Sequence, residues 1–362
     1  MKNKKIALYN PYLNILGGGE KYSLSILKAL EEEGYQPYIF WNDNLEKEFQ
    51  NKFSLKLNHK ITFLSDIFSK KTSLFEKLSV TKDFDIFLYV SDGSYFFSRA
   101  KKNFVYAMIP KKNLYQMSLI NKLKTVNYRF ITHSKFNQKQ LKNWQIKTDL
   151  LYFYLDEEFM KINLDQIKKE KIILSVGRFF SHLHSKRQDL MIKTFKKLKQ
   201  SNPLFKDFQL ILAGGLSPED KDYFNNLVRI VGNDNSIILK PNLSFKELFR
   251  LYQQSMFYWH FAGFGIDENK SPELVEHFGI SPLEAMASGC LTFCYQAGGP
   301  KEVINHKKTG FLFKDEKTLS KDMTYCLKNQ KKAEKIINSA KSFVKTTFNY
   351  KKFKKRVKKI FT

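Results

Sequence analysis

The chain has 362 residues, and at roughly 150 residues per domain that length calls for two domains or one large one. Apolar residues make up 43% and aromatics 15%, which excludes wholesale disorder, and no apolar stretch reaches the roughly 20 residues of a membrane-spanning helix. The net charge of +27 attracts nucleic acid, anionic membrane or phosphorylated substrate without choosing among them, and only seven of the 62 basic residues are arginine, so codon bias toward lysine is its plainest source.

The chain opens on Met1-Lys-Asn-Lys-Lys5 and then only four apolar residues, too few for a signal peptide, so the expected location is cytoplasmic. Strand, glycine loop and helix then alternate. Lys5–Asn10 reads as a strand, Gly17-Gly18-Gly19 as a turn, and Glu20–Glu33 as a helix with Leu24, Leu27 and Leu30 on one face, closed by Gly34. Tyr38–Trp41, Asp85–Val90, Asn103–Ala107 and Phe130–His133 follow as strands, apolar enough to lie in a buried parallel sheet. A polar stretch at 163–171 interrupts the series, which restarts with Lys171–Val176, Gly177 and a helix over Gln188–Gln200. Gln209–Ala213 before Gly214-Gly215, Ser236–Leu239, Phe257–His260, Leu291–Cys294 and Gly310–Phe313 complete it. Two such series predict two doubly wound α/β domains with a ligand cleft between them. The expected division is 1–167, 168–340 and a basic terminal helix over 341–362 that packs back on the first domain. Cys290, Cys294 and Cys326 cannot frame a chain this long with disulfides, and they read as core thiols.

Three segments could carry chemistry. In Glu276-His-Phe278-Gly279-Ile280-Ser281-Pro-Leu-Glu284, Ser281 reads as a helix N-cap with Pro282 at the first helical position, and a helix N-terminus is a natural seat for diphosphate. The same spacing, Ser281-x-x-Glu284, is also a capping box that would leave Glu284 with nothing to do but satisfy its own backbone. In Gly177-Arg178 through Lys186, two cations flank a loop after a strand and could neutralise a departing diphosphate; either alone would be an ordinary solvated charge. Gly17-Gly18-Gly19-Glu20 could bring backbone close to a ligand, or merely turn the chain.

Taken in order, these residues resemble the retaining glycosyltransferases of family 4. The resemblance runs through Val-Gly-Arg178 with Lys186, Leu-Ala-Gly-Gly215, Glu276-x7-Glu284, Met-Ala-Ser-Gly289, Gly298-Gly-Pro-Lys-Glu302 and Thr-Gly-Phe-Leu-Phe313. The first domain matches more loosely, through Gly17–Glu20 and Ser134-Lys-Phe136. The resemblance implies a GT-B fold, two Rossmann-like doubly wound domains facing a central cleft, and transfer of a hexose with retention from a GDP- or UDP-linked donor. It implies that Arg178 and Lys186 hold the diphosphate, Glu276 faces the donor sugar, and Glu284 binds the ribose. Gly18, Gly19, Gly177, Phe278, Gly279, Ile280 and Ser281 would complete the donor site. No cofactor beyond the donor substrate is expected.

Two departures stand out. Relatives often carry a histidine two residues before a proline at a strand end in the first domain, and Tyr106-Ala-Met-Ile-Pro110 puts Met108 there, leaving His133 or an unaligned side chain as the substitute. The stretch Gly265–Glu273 looks like a longer loop near the sugar site. The spacing Asp-x-Asp occurs at Asp83-Phe-Asp85, before a strand, and at Asp220-Lys-Asp222, in a helical stretch, neither suited to a metal-bound diphosphate, so no metal is expected.

The acceptor, a glycan or lipid-linked glycan of surface polysaccharide or glycoconjugate synthesis, is assigned to the first domain, where residues 95–124 mix Tyr95, Phe96, Phe97 and Tyr115 with Lys101, Lys102, Lys111, Lys112, Lys122 and Lys124. The tail Lys351–Phe361 carries Phe353, Val357, Ile360 and Phe361 at helical spacing. It is either a closing helix or a patch for an anionic membrane, which would place the enzyme at the inner face of the membrane. Two other readings stay open. A GT-B epimerase or phosphorylase shares the fold, and a non-enzymatic basic protein that binds membrane or nucleic acid needs only the charge, although no nucleic-acid module is recognisable.

Overall fold

The computed structural model describes residues 4–53, 55, 57–68, 72–182 and 185–362. The chain forms two compact units, Met1–Phe153 with Tyr350–Thr362, and Tyr154–Asn349.

The first unit holds seven strands: β1 Lys4–Tyr9, β2 Tyr35–Phe40, β3 Thr62–Leu64, β4 Ile86–Val90, β5 Lys102–Tyr106, β6 Tyr128–Thr132 and β7 Thr148–Leu150. All pair in parallel in the order β3-β2-β1-β4-β5-β6-β7. Central strands of a parallel sheet are covered on both faces, and Ile86–Val90 is accordingly buried at every residue. The helices are α1 Gly18–Glu31, α2 Glu46–Phe53, α3 Leu74–Thr81, α4 Leu119–Lys124 and α5 Lys135–Asn143. One face of the sheet carries a core of Tyr9, Phe68, Phe87, Tyr89, Val105 and Phe130, on which Val80 of α3, Leu114 and Met117 before α4, and Leu141 of α5 pack.

The second unit repeats the plan with β8 Glu170–Val176, β9 Gln209–Gly214, β10 Ile237–Pro241, β11 Ser255–His260, β12 Leu291–Tyr295 and β13 Phe311–Phe313. Its parallel order is β10-β9-β8-β11-β12-β13. The helices are α6 Glu157–Lys161, α7 Gln188–Ser201, α8 Lys221–Val231, α9 Phe245–Gln254, α10 Ile280–Ala287, α11 Pro300–Val303, α12 Glu316–Lys328 and α13 Gln330–Thr347. In both sheets the strand order reverses once, between β1 and β4 and between β8 and β11, and ligands of doubly wound sheets bind beyond the strand ends at that point. Cys290, Cys294 and Cys326 are buried thiols.

The domain division differs from the sequence expectation by about a turn of helix and a loop. It falls at Tyr154, not 168. The reason is packing: Phe159 of α6 lies 5.1 Å from Phe249 and 5.6 Å from Tyr252 of α9, and Leu155 N–H donates to the Phe348 carbonyl. The terminal helix also starts later than 341. The helix α13 runs on to Thr347 within the second unit, and α14, Tyr350–Phe361, belongs to the first.

Phe353, Val357 and Phe361 of α14 are buried, and the Phe361 ring centroid lies 4.2 Å from that of Phe104, the two rings tilted by 35°. Its polar face is spent on ion pairs, Lys354 with Glu32 at 2.9 Å and Lys358 with Glu33 at 2.7 Å. Lys102 Nζ and the Arg129 guanidinium donate to the last carbonyls of the helix, where the dipole favours cations. The tail apolar residues are therefore core, not a membrane patch. Phe361→Ala should cost about 3–5 kcal/mol of unfolding free energy, as buried aromatic truncations do. Denaturant titration followed by tryptophan fluorescence measures it, and a loss under about 1 kcal/mol would contradict the packing.

Candidate active site

Charge gathers where β8 and β11 end. Val176 closes β8, and Gly177 N–H donates to the Ala213 carbonyl at 2.9 Å. A side chain at Gly177 would put its Cβ 2.4 Å from Lys186 Cγ, and one at Gly214 would sit 2.0 Å from the Gly177 carbonyl oxygen. Two glycines thus let the loop backbone close and let the Lys186 stem lie directly on it. Arg178 is exposed, with its guanidinium 4.7 Å over the Phe180 ring and its carbonyl held by Gln188 Nε2 at 3.0 Å. Leu183 and His184, between the two cations, lie outside the described residues.

Lys186 Nζ lies 2.5 Å from Glu276 Oε2, and both side chains are nearly buried, at 11% and 13% exposure. The same oxygen is 2.9 Å from His260 Nε2, at the end of β11. Burial pushes the His260 imidazole down below its usual range despite the carboxylate beside it. At neutral pH the ring is therefore uncharged, with Nε2–H donating to Glu276 and Nδ1 buried with no hydrogen-bond partner among the described residues. His260 was not among the residues picked from sequence. The available signal was its position, a histidine at the carboxyl end of a strand beside the reversal of strand order.

The next turn positions Glu284. The helix α10 begins at Ile280, two residues earlier than the sequence suggests, because Gly279 takes φ +102° and serves as its N-cap without a side-chain hydrogen bond. Ser281 therefore does not cap. Its hydroxyl accepts from Tyr258 Oη at 2.8 Å and donates to the Val176 carbonyl at 3.3 Å, which anchors α10 to β8 and β11. The capping-box reading of Ser281 and Glu284 is overturned. Glu284 Oε2 instead accepts from the hydroxyl of Tyr252, a wholly buried residue of α9 that sequence periodicity could not distinguish from core.

Phe278 is also a core residue, its ring 5.7 Å from Phe348, so only its backbone can face a ligand. Ile280 is half-buried at the start of α10. The long loop is tied down: Glu268 Oε2 accepts from Gly298 N–H at 2.6 Å and Oε1 pairs with Lys301. Gly298 and Gly299 are pressed on the site segment, since a Cβ on Gly298 would lie 2.1 Å from the Glu276 carbonyl oxygen. His277, packed beneath, is pushed down to about 4 by burial.

Gly18 and Gly19 belong to the first unit. Glu20 folds back to accept from Gly17 N–H at 2.7 Å, and a Cβ on Gly19 would lie 2.2 Å from Met108 Sδ. The glycine run thus makes room for Met108. His133 is buried beside them, with Nδ1 2.8 Å from the Tyr106 hydroxyl. Asp85 accepts from Lys5 N–H and Lys101 Nζ before β4 begins, and Asp220 accepts from the Ser217 hydroxyl just ahead of α8.

If Glu276 and Lys186 are the working pair, Glu276→Gln and Lys186→Ala should each lower kcat by roughly 10²–10³, the usual cost of losing a preorganised electrostatic group. Circular dichroism and a melting curve separate this from unfolding; turnover within threefold of the parent would dismiss the pair. Glu284→Gln should raise the donor KM about tenfold with kcat little changed, as loss of a charge-assisted hydrogen bond would. An unaltered KM would dismiss Glu284 as a donor ligand.

The comparisons with known proteins converge on this architecture. Residues 156–343 match the family model described as "Glycosyl transferases group 1". The chain is 23% identical to the mouse GDP-Man:Man(3)GlcNAc(2)-PP-Dol alpha-1,2-mannosyltransferase, over 89% of this chain and 79% of that protein. In structure it is similar to a glycosyltransferase from Rickettsia africae, with a TM-score of 0.75 at 18% identity over 100% of this chain and 98% of that one. It is likewise similar to Anabaena HepE in complex with UDP, with a TM-score of 0.72 at 15% identity over 99% of both chains. These likenesses establish the GT-B fold, and because the family match spans more than half of its length, the chain belongs to the group 1 glycosyl transferases.

Proposed function

We propose that this glycosyltransferase moves a hexose, with retention, from a GDP- or UDP-linked donor to a glycan or lipid-linked glycan in surface polysaccharide or glycoconjugate synthesis. The observation that carries the reading is the cluster of Lys186, Glu276 and His260 at the reversal of strand order, with Glu284 one helical stretch on. Mannose stands first among donor sugars because the mouse relative carries GDP-Man in its name, and the same name gives that protein a dolichol-linked acceptor.

Transfer breaks the bond between the anomeric carbon and the diphosphate oxygen, and negative charge builds on the departing group. Arg178, Lys186 and the uncapped N-terminus of α10 would meet that charge in place of a metal. An arriving phosphate would compete with Glu276 for Lys186, which frees the Glu276 carboxylate to accept from sugar hydroxyls while the neutral His260 keeps it aligned. No side chain is assigned as a covalent nucleophile. The acceptor oxygen would attack on the face from which the diphosphate leaves, and the departing phosphate would take its proton. A thioether at Met108 cannot relay a proton, which favours this route on the acceptor side.

A donor panel scored by nucleoside diphosphate release tests activity and names the sugar together. Release should appear with one or two donors, survive excess chelator, and give a product whose anomeric proton coupling matches the donor's configuration. An inverted product would refute the retaining assignment, and activity restored only by manganese or magnesium would refute independence from metal.

A further inference from the structure

The helices α3 and α4 carry an apolar surface that no other described residue buries. Of the described large apolar residues that are exposed, six lie on or beside these two short helices: Leu74, Phe75, Leu119, Ile120, Leu123 and Val126. Three of them are about as exposed as such a side chain can be, Phe75 at 82%, Leu119 at 80% and Val126 at 82%. None of the six residues of α4 is buried. A surface helix normally forms because one stripe of it is covered, and α4 covers nothing.

The two helices lie on the same face of the first sheet, since Val80 of α3 and the Leu114–Met117 segment leading into α4 pack on one core. Lys77 of α3 is near enough to Lys124 to feel its charge. A helix that enters from a parallel strand starts at the carboxyl end of the sheet, which is the end where Gly19 and Met108 meet. The opposite face takes α1, with α14 packed on it.

Charge around the patch is one-sided. From 111 to 127 the chain has Lys111, Lys112, Lys122 and Lys124 and no acidic residue, and the first three lysines are exposed. Glu76 within α3, Asp83 just after it and Asp66, whose charge reaches Lys77, are the opposing charges. Exposed leucine, isoleucine and phenylalanine framed by lysine suit an anionic lipid surface, where the apolar groups enter the boundary of the headgroups and the cations meet phosphate. A second copy of the chain fits less well, because a two-fold contact would set lysines against the same lysines.

We propose that the outer edge of α3 and α4 seats this protein on an anionic phospholipid bilayer. The first unit then lies with the sheet end that holds Gly19 and Met108 next to the lipid surface, where a lipid-linked acceptor would emerge. The proposal deepens the lipid-linked acceptor reading and rests on it for its purpose, but the binding itself is measured separately.

The full chain is co-sedimented at physiological salt with vesicles of phosphatidylcholine alone and of phosphatidylcholine with phosphatidylglycerol. Binding is expected to the anionic vesicles, reduced roughly tenfold or more in the triple variant Leu119→Ser, Ile120→Ser, Leu123→Ser and in Lys111→Gln, Lys112→Gln, Lys122→Gln. Lys351→Gln, Lys355→Gln, Lys359→Gln in the tail should bind as the parent does. Equal binding to neutral vesicles, undiminished binding of both α4 variants, or loss confined to the tail variant would overturn the proposal. So would a parent that ignores vesicles and dimerises through α4 in sedimentation velocity. Nucleoside diphosphate release in solution should be unchanged in the tail variant. Vesicle binding without release from any donor would leave the docking surface standing and fail the functional reading instead.

Discussion

A lysine and a glutamate held almost out of water constrain most of the second unit. The Lys186–Glu276 pair would be costly to bury unless each charge found its partner at close range, and a third group, the neutral His260, shares the same carboxylate oxygen. Everything nearby serves that approach. Gly177 gives up its side chain so that the lysine stem can cross the backbone, Gly214 does so to let Gly177 in, and Gly298 lets a turn press on Glu276 from the other side. A side chain at any of the three would force backbone or the lysine stem to move by an ångström or more. The glycines are thus the geometric cost of placing the charges, and the charges are what a diphosphate sugar would exchange with.

This is why the segments that meet here left marks in the sequence. Arg178, Lys186, Glu276 and Glu284 stand in the order that the resemblance to family 4 implies, and folding brings Lys186 and Glu276 together. What holds them was not legible. Tyr252 and Tyr258 come from α9 and β11, and their hydroxyls reach Glu284 and Ser281 across the fold. A phenol inside an otherwise ordinary apolar pattern carries no sign of its partner. The local capping box around Ser281 looked sufficient and lost, because a non-local hydrogen bond from Tyr258 and the positive φ of Gly279 moved the helix start by two residues.

The division between units was misplaced for a related reason. The polar stretch at 163–171 marks a break in the strand series, but Phe159 ahead of it and Leu164 within it are already committed to the second unit, Leu164 lying against Gly289. Composition reports where regular structure pauses. Packing decides where a unit begins.

The two lysine-rich segments show the same limit from the other side. The tail has apolar residues at helical spacing and so invited a reading as either closing helix or lipid patch; burial of Phe353, Val357 and Phe361 and three ion pairs to Glu32 and Glu33 settle it as the former. The segment from 95 to 124 drew notice for its lysines and aromatics, yet Tyr115 is buried and Lys101 is paired with Asp85. The residues that stand out from the surface there are aliphatic: Leu119, Ile120, Leu123 and Val126. In a chain this rich in lysine, charge alone cannot mark an interaction surface, because most of the surface carries it. The discriminating quantity is uncovered apolar area without compensating acid, and only folding reveals which apolar residues are left uncovered.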